Sequence, residues 1–248
     1  RIGGVSPMTL TGGRVQFADG SIGVIAPEKP PEFRKDPDLS KLYIDVGATS
    51  QAEAADRLGQ AVGFVRPFTD LGQRVVSKAM DDRIGCAVLV ETMRRLGSSP
   101  HDLYFVFTVQ EEVGLRGAQT GAFGVDPDVG IAVDVTVAAD TPEAYKMAMK
   151  LGDGPCIKVK DGRMLSHPGL KDLLIETAEA NEIPYQLEVL AWGSTDAAAI
   201  QLSRGGVPAG CVSIACRYVH TPSEMVDMDD VENAVRLFLA VLQGPIDI

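Results

Sequence analysis

The chain has 248 residues, of which 45% are hydrophobic and 23% charged. That is enough apolar content for one large core, or a core with a small satellite domain, and too much for a disordered chain. The 34 acids outnumber the 23 bases, the formal charge is −11, and the bases form no run, which argues against a phosphate backbone as a partner. No stretch reaches the roughly 18 uninterrupted apolar residues that span a bilayer, and no charged start with a short apolar run resembles a signal peptide. A cytoplasmic protein with no nucleic-acid and no membrane partner is expected.

In chain order, residues 14–17 and 21–26 read as short strands around the turn signal Asp19-Gly20, and a loop rich in proline and charge leads to a further strand at 41–45. The string Ser50-Gln51-Ala52-Glu53 is a capping box, which opens a helix that should stop near Gly59. Residues 1–73 therefore form a small β-rich domain. Beyond residue 74 the character changes: strands are predicted at 74–79, 103–109, 129–135, 155–159, 185–189 and 209–214, separated by helices near 83–96, 168–181, 196–202 and 229–242. This alternation predicts an α/β domain over 74–248, a sheet flanked by helices. In the last helix Val231, Ala234, Val235, Phe238, Val241 and Leu242 fall on one face and should dock on the sheet. Cys86, Cys156, Cys211 and Cys216 make no close pair and read as buried thiols.

Four strings put an acid or an imidazole in or at the end of a strand-like apolar run: Asp81-Asp82-Arg83, Gln110-Glu111-Glu112, Val133-Asp134-Val135 and Val219-His220-Thr221. Carboxylates with a neutral imidazole are the donors that zinc, cobalt and manganese take, and strand ends are where an α/β sheet builds its site. The pattern suggests a metal-dependent hydrolase. Plainer readings stand beside it. One of the paired aspartates can cap the apolar helix that follows, Glu111 and Glu112 can be a solvated pair, and His220 can be structural. Asp134 is harder to explain in that way, because an unpaired carboxylate inside the run 131–135 would carry a large desolvation cost that a cation offsets. Gly114 and Gly117 give the segment after Glu112 a permissive backbone suited to a site loop.

Taken in order, residues 78–85 (KAMDDRIG), 109–118 (VQEEVGLRGA), 132–136 (AVDVT), 193–197 (GSTDA) and 217–224 (RYVHTPSE) resemble the dinuclear-metal aminopeptidases that assemble as tetrahedral particles. These are the TET, glutamyl or deblocking aminopeptidases, some of which carry the name endoglucanase. The resemblance runs nearly end to end. It implies a zinc-aminopeptidase-like mixed sheet with a small β-barrel-like domain, two divalent ions per subunit (zinc or cobalt, with manganese a third option), short peptide substrates, and self-assembly into a large homo-oligomer, a dodecamer. By that resemblance Asp81 bridges the two ions, Glu112 and His220 complete one site, Asp134 belongs to the other, and Glu111 is the general base. It also implies a cis peptide between Asp81 and Asp82. Using both Glu111 and Glu112 in one site requires the backbone to leave strand geometry there, since neighbouring strand residues point to opposite faces.

Two departures accompany the resemblance. The family takes a further histidine ligand from a segment upstream of the small domain, and this chain has no histidine before Asp81; His101 sits at the wrong end of its predicted strand to replace it. With the non-methionine start, this reads as a catalytic domain lacking its N-terminal segment. Ser194 stands where the family usually has glycine, and Thr195 and Asp196 either line the substrate pocket or start a helix. Residues 1–4 and the small domain are expected to help build the oligomer. The alternatives to peptide hydrolysis are hydrolysis of β-glucan, for which contiguous Glu111-Glu112 offers no evident acid–nucleophile pair, and an inactive metal-binding scaffold.

Overall fold

The computed structural model of the chain describes residues 3–248. Eleven strands are β1 (Arg14–Phe17), β2 (Ile22–Pro27), β3 (Leu42–Asp45), β4 (Val62–Phe64), β5 (Thr69–Asp70), β6 (Arg74–Ser77), β7 (Gly130–Val137), β8 (Cys156–Lys160), β9 (Gln186–Val189), β10 (Ala209–Arg217) and β11 (Glu224–Asp227). The helices are α1 (Pro7–Leu10), α2 (Pro30–Phe33), α3 (Gln51–Ala55), α4 (Met80–Arg95), α5 (Arg116–Val125), α6 (Pro168–Ala180), α7 (Ala197–Ile200) and α8 (Met228–Gln243). None of the described helices is long and apolar enough to cross a membrane.

The strands divide between two sheets. A four-stranded antiparallel sheet has the order β3-β2-β1-β4 and buries Val15, Phe17 and Ile25, while the alternate positions of β1 and β2 face outward. The larger sheet is mixed: β5-β6-β11-β10-β8-β9, with β7 running parallel beside β10 from Gly130 to Val137. β5, at residues 69–70, already pairs with β6 of this larger sheet.

Alternation along the central strands supplies a core on each face of that sheet. Val212 and Ile214 of β10 pack with Val88 of α4, Leu170 and Leu174 of α6, and Ala234, Val235 and Phe238 of α8. Cys211, one residue out of step, packs instead with Ala132, with Ala118 of α5 and with Ala197 to Ala199 of α7. All six residues of the predicted α8 stripe are buried, and Asp227 caps that helix by accepting the Asp229 N–H at 3.1 Å. Three of the four cysteines are buried; Cys86 is exposed.

Two predicted elements come out differently. Residues 103–109 form no strand, because among the described residues no neighbouring strand supplies ladder partners; Tyr104 and Val109 are accordingly 69% and 67% exposed. The Ser50 box is real, with Ser50 Oγ accepting the Glu53 N–H at 3.3 Å, but the Glu53 carboxylate takes the Thr49 N–H and α3 stops at Ala55 rather than near Gly59. Helix α5 escaped prediction since Gly117, Gly121 and Gly124 weaken its helical signal. Gly117 is there for proximity: a Cβ on it would lie 2.5 Å from the backbone of Val109.

Candidate active site

The five residues predicted for the site line one cavity of about 840 Å³, together with Gly3, Gly4, Arg163, Trp192 and others. Asp81 follows β6 at the start of α4, where residues 81 and 82 leave helical geometry and the bond between them is cis, as the resemblance implied. The capping question resolves in favour of Asp82, whose Oδ1 accepts the Gly85 N–H at 3.0 Å. The Asp81 carboxylate is thereby left to face the cavity.

Glu111 and Glu112 sit in a 3-10 turn, Glu111–Val113, entered through Gln110 at φ 61° and left through Gly114 at φ 121°. This is the departure from strand geometry that a shared site demands. Asp134 lies within β7, buried, with Oδ1 accepting the Val135 N–H at 2.7 Å. His220 stands in the turn beyond β10, at φ 64°.

Three of these side chains meet. His220 Nε2 is 3.2 Å from Asp81 Oδ2 and 3.4 Å from Glu112 Oε2, and one donor atom from each lies within 4.8 Å of the others. Asp134 shares the cavity but stands outside this trio. His101 has other work: its Nε2 lies 2.8 Å from the Gly244 carbonyl oxygen.

Crowded carboxylates make the site electrostatically unsettled. Burial, followed by the charges of Asp196, Glu112 and Asp81, raises the Glu111 carboxyl to about 7. Burial and then Asp81 raise Glu112, while burial with Asp82, Asp81 and Glu111 pushes Asp134 well above the carboxylate range. The hydrogen bond to Asp81, with further help from the Glu112 and Asp81 charges, lifts the His220 imidazole to about 9. A divalent cation would turn this repulsion into attraction, and two carboxylates with an imidazole fit one in number and chemistry.

Two supports of the site were not anticipated. Glu224, 2% exposed at the start of β11, accepts the His220 N–H through Oε1 at 2.8 Å and the Asp81 N–H through Oε2 at 3.0 Å, tying two of the three donors together. Its signal was visible as an acid four residues after His220. Gly3 and Gly4, assigned from sequence to the oligomer-building region, press on the site: a Cβ on Gly4 would lie 2.6 Å from His220 Nδ1, and one on Gly3 3.2 Å from Glu112 Cβ. Arg1 and Ile2 of that region lie outside the described residues.

Comparison with known proteins identifies the family of the chain. The profile of the M42 glutamyl aminopeptidases matches residues 1–237. The chain belongs to this family. A protein of Acetivibrio thermocellus is 48% identical over 243 residues, covering 97% of this chain and 74% of that protein. Among solved structures, aminopeptidase APDkam598 from Desulfurococcus kamchatkensis superposes with a TM-score of 0.92 at 42% identity, covering 99% of this chain and 72% of that one. The Pyrococcus horikoshii TET1 peptidase, which can assemble into a tetrahedron or a large octahedral shell, gives a TM-score of 0.79 at 32% identity, covering 98% of this chain and 76% of that one. Membership of the M42 family makes the chain a peptidase of the hydrolase class, with the mixed α/β architecture of these relatives.

Proposed function

We propose that the protein is a metal-dependent aminopeptidase that removes N-terminal residues from short peptides. The observation that carries this reading is the meeting of Asp81, Glu112 and His220 from three separate elements on one cavity wall. In it these three residues hold one divalent ion, zinc or cobalt, and Asp81 with Asp134 contributes to a second. Bound there, the ions supply Lewis-acid activation of a water and of the scissile carbonyl. Glu111 stays outside the donor trio, takes the proton of the attacking water and hands it to the leaving amine. The surrounding carboxylates attract the free ammonium of a peptide terminus, which selects ends over internal bonds. Hydrolysis of β-glucan is disfavoured because contiguous Glu111-Glu112 offers no evident acid–nucleophile pair.

Several copies of the chain assemble into a closed homo-oligomer, a dodecamer, with the small domain of residues 1–73 contributing to the contacts. Support comes from the tetrahedral and octahedral assemblies of the Pyrococcus horikoshii relative.

The reading is tested by turnover. Leucyl-p-nitroanilide should be hydrolysed and N-acetyl-leucyl-p-nitroanilide should not; dialysis against a chelator should remove the activity and zinc or cobalt restore it. Equal turnover of the acetylated compound, or activity indifferent to chelation, would sink the proposal.

A further inference from the structure

The cavity lining carries both signs of charge. Besides Asp81, Glu111, Glu112, Asp134 and His220 it includes two cations, Lys158 and Arg163. Lys158 is 1% exposed and ion-paired with the fully buried Glu188, so its charge is already balanced inside the protein. Arg163 is different: it is exposed, and its guanidinium has no hydrogen bond, ion pair or ring contact among the described residues.

Its backbone, by contrast, is fixed. The Arg163 N–H donates to Asp161 Oδ1 at 2.8 Å, its carbonyl accepts from Gln201 Nε2 at 3.2 Å, and the Asp161 N–H closes the turn on the Met164 carbonyl at 2.9 Å. The turn is also seated against the opposite loop, since a Cβ on Gly162 would lie 2.8 Å from the Gly193 carbonyl oxygen and 3.2 Å from the Trp192 carbonyl carbon. A turn with a fixed backbone therefore sets Arg163, whose guanidinium is unpaired among the described residues, on the lining of a cavity otherwise dominated by carboxylates. A ligand that satisfies both parts carries an ammonium and a carboxylate.

We propose that Arg163 binds a carboxylate of the substrate, so that the cavity selects small zwitterionic peptides. This rests on the aminopeptidase reading and names the substrate class of the same site. A planar guanidinium takes a carboxylate through two parallel hydrogen bonds, and that group comes from an acidic side chain or from the C-terminus of a short peptide.

Two kcat/KM ratios distinguish the sources, measured on the full chain and on Arg163→Gln: glutamyl- over glutaminyl-p-nitroanilide, and leucylleucine over its C-terminal amide. The unaltered protein should favour the carboxylate in at least one pair, and Arg163→Gln should lower that ratio about tenfold, mainly through KM. Arg163→Lys, which keeps the charge, should retain most of it. A change in the first pair assigns a side-chain carboxylate, and one in the second assigns the C-terminus. No preference in either pair, or ratios that Arg163→Gln leaves unchanged, overturns the proposal while leucyl-p-nitroanilide turnover leaves the aminopeptidase reading standing. Absence of turnover on every substrate overturns both.

Discussion

Glu111→Gln is expected to lower kcat by about 10²–10⁴-fold, the usual contribution of a positioned general base, while zinc affinity stays close to that of the unaltered protein. Glu111 lines the cavity beside Glu112 but is not one of the three donors that meet at His220. Gln keeps its shape and hydrogen-bonding reach and removes the ability to take a proton. It also relieves the repulsion that Glu111 shares with Asp196, Glu112 and Asp81. Steady-state kinetics paired with zinc titration calorimetry separates the two roles. An unchanged kcat would take Glu111 out of the mechanism, and a lost zinc isotherm would place it among the ligands.

The second large effect is on stability. Lys158 of β8 and Glu188 of β9 face each other in parallel register and form an ion pair with exposures of 1% and 0%. Glu188→Ala leaves an ammonium uncompensated in the interior, so the protein should lose about 3–5 kcal/mol of unfolding free energy. The double replacement Lys158→Met with Glu188→Leu restores apolar packing in place of the pair and should recover most of that loss. Urea unfolding of the three proteins measures it. A single-variant loss below about 1 kcal/mol, the range of solvated pairs, would show that water reaches the site.

Where the sequence was legible, local periodicity and burial pointed the same way. The stripe from Val231 to Leu242 is buried as its spacing demands, and β1 spans the predicted residues 14–17. The candidate site was legible because charged residues in apolar runs have few structural uses, and Asp81, Glu112 and His220 do converge. What failed depended on neighbours remote in sequence. Residues 103–109 have the composition of a strand, but a strand exists only with a partner beside it. Glu224 binds the backbone amides of residues 220 and 81, and its reach to the second, 143 positions away, is encoded by no local pattern. Gly4 approaches His220 from the other end of the chain, so that its lack of a side chain serves proximity in space.

The most direct test is anomalous diffraction at the zinc edge from crystals of the zinc-loaded protein. The account predicts a peak bounded by Asp81 Oδ2, Glu112 Oε2 and His220 Nε2, each at about 2.0–2.2 Å from the ion. Zinc bound elsewhere on the chain, with no peak among these three atoms, would contradict it.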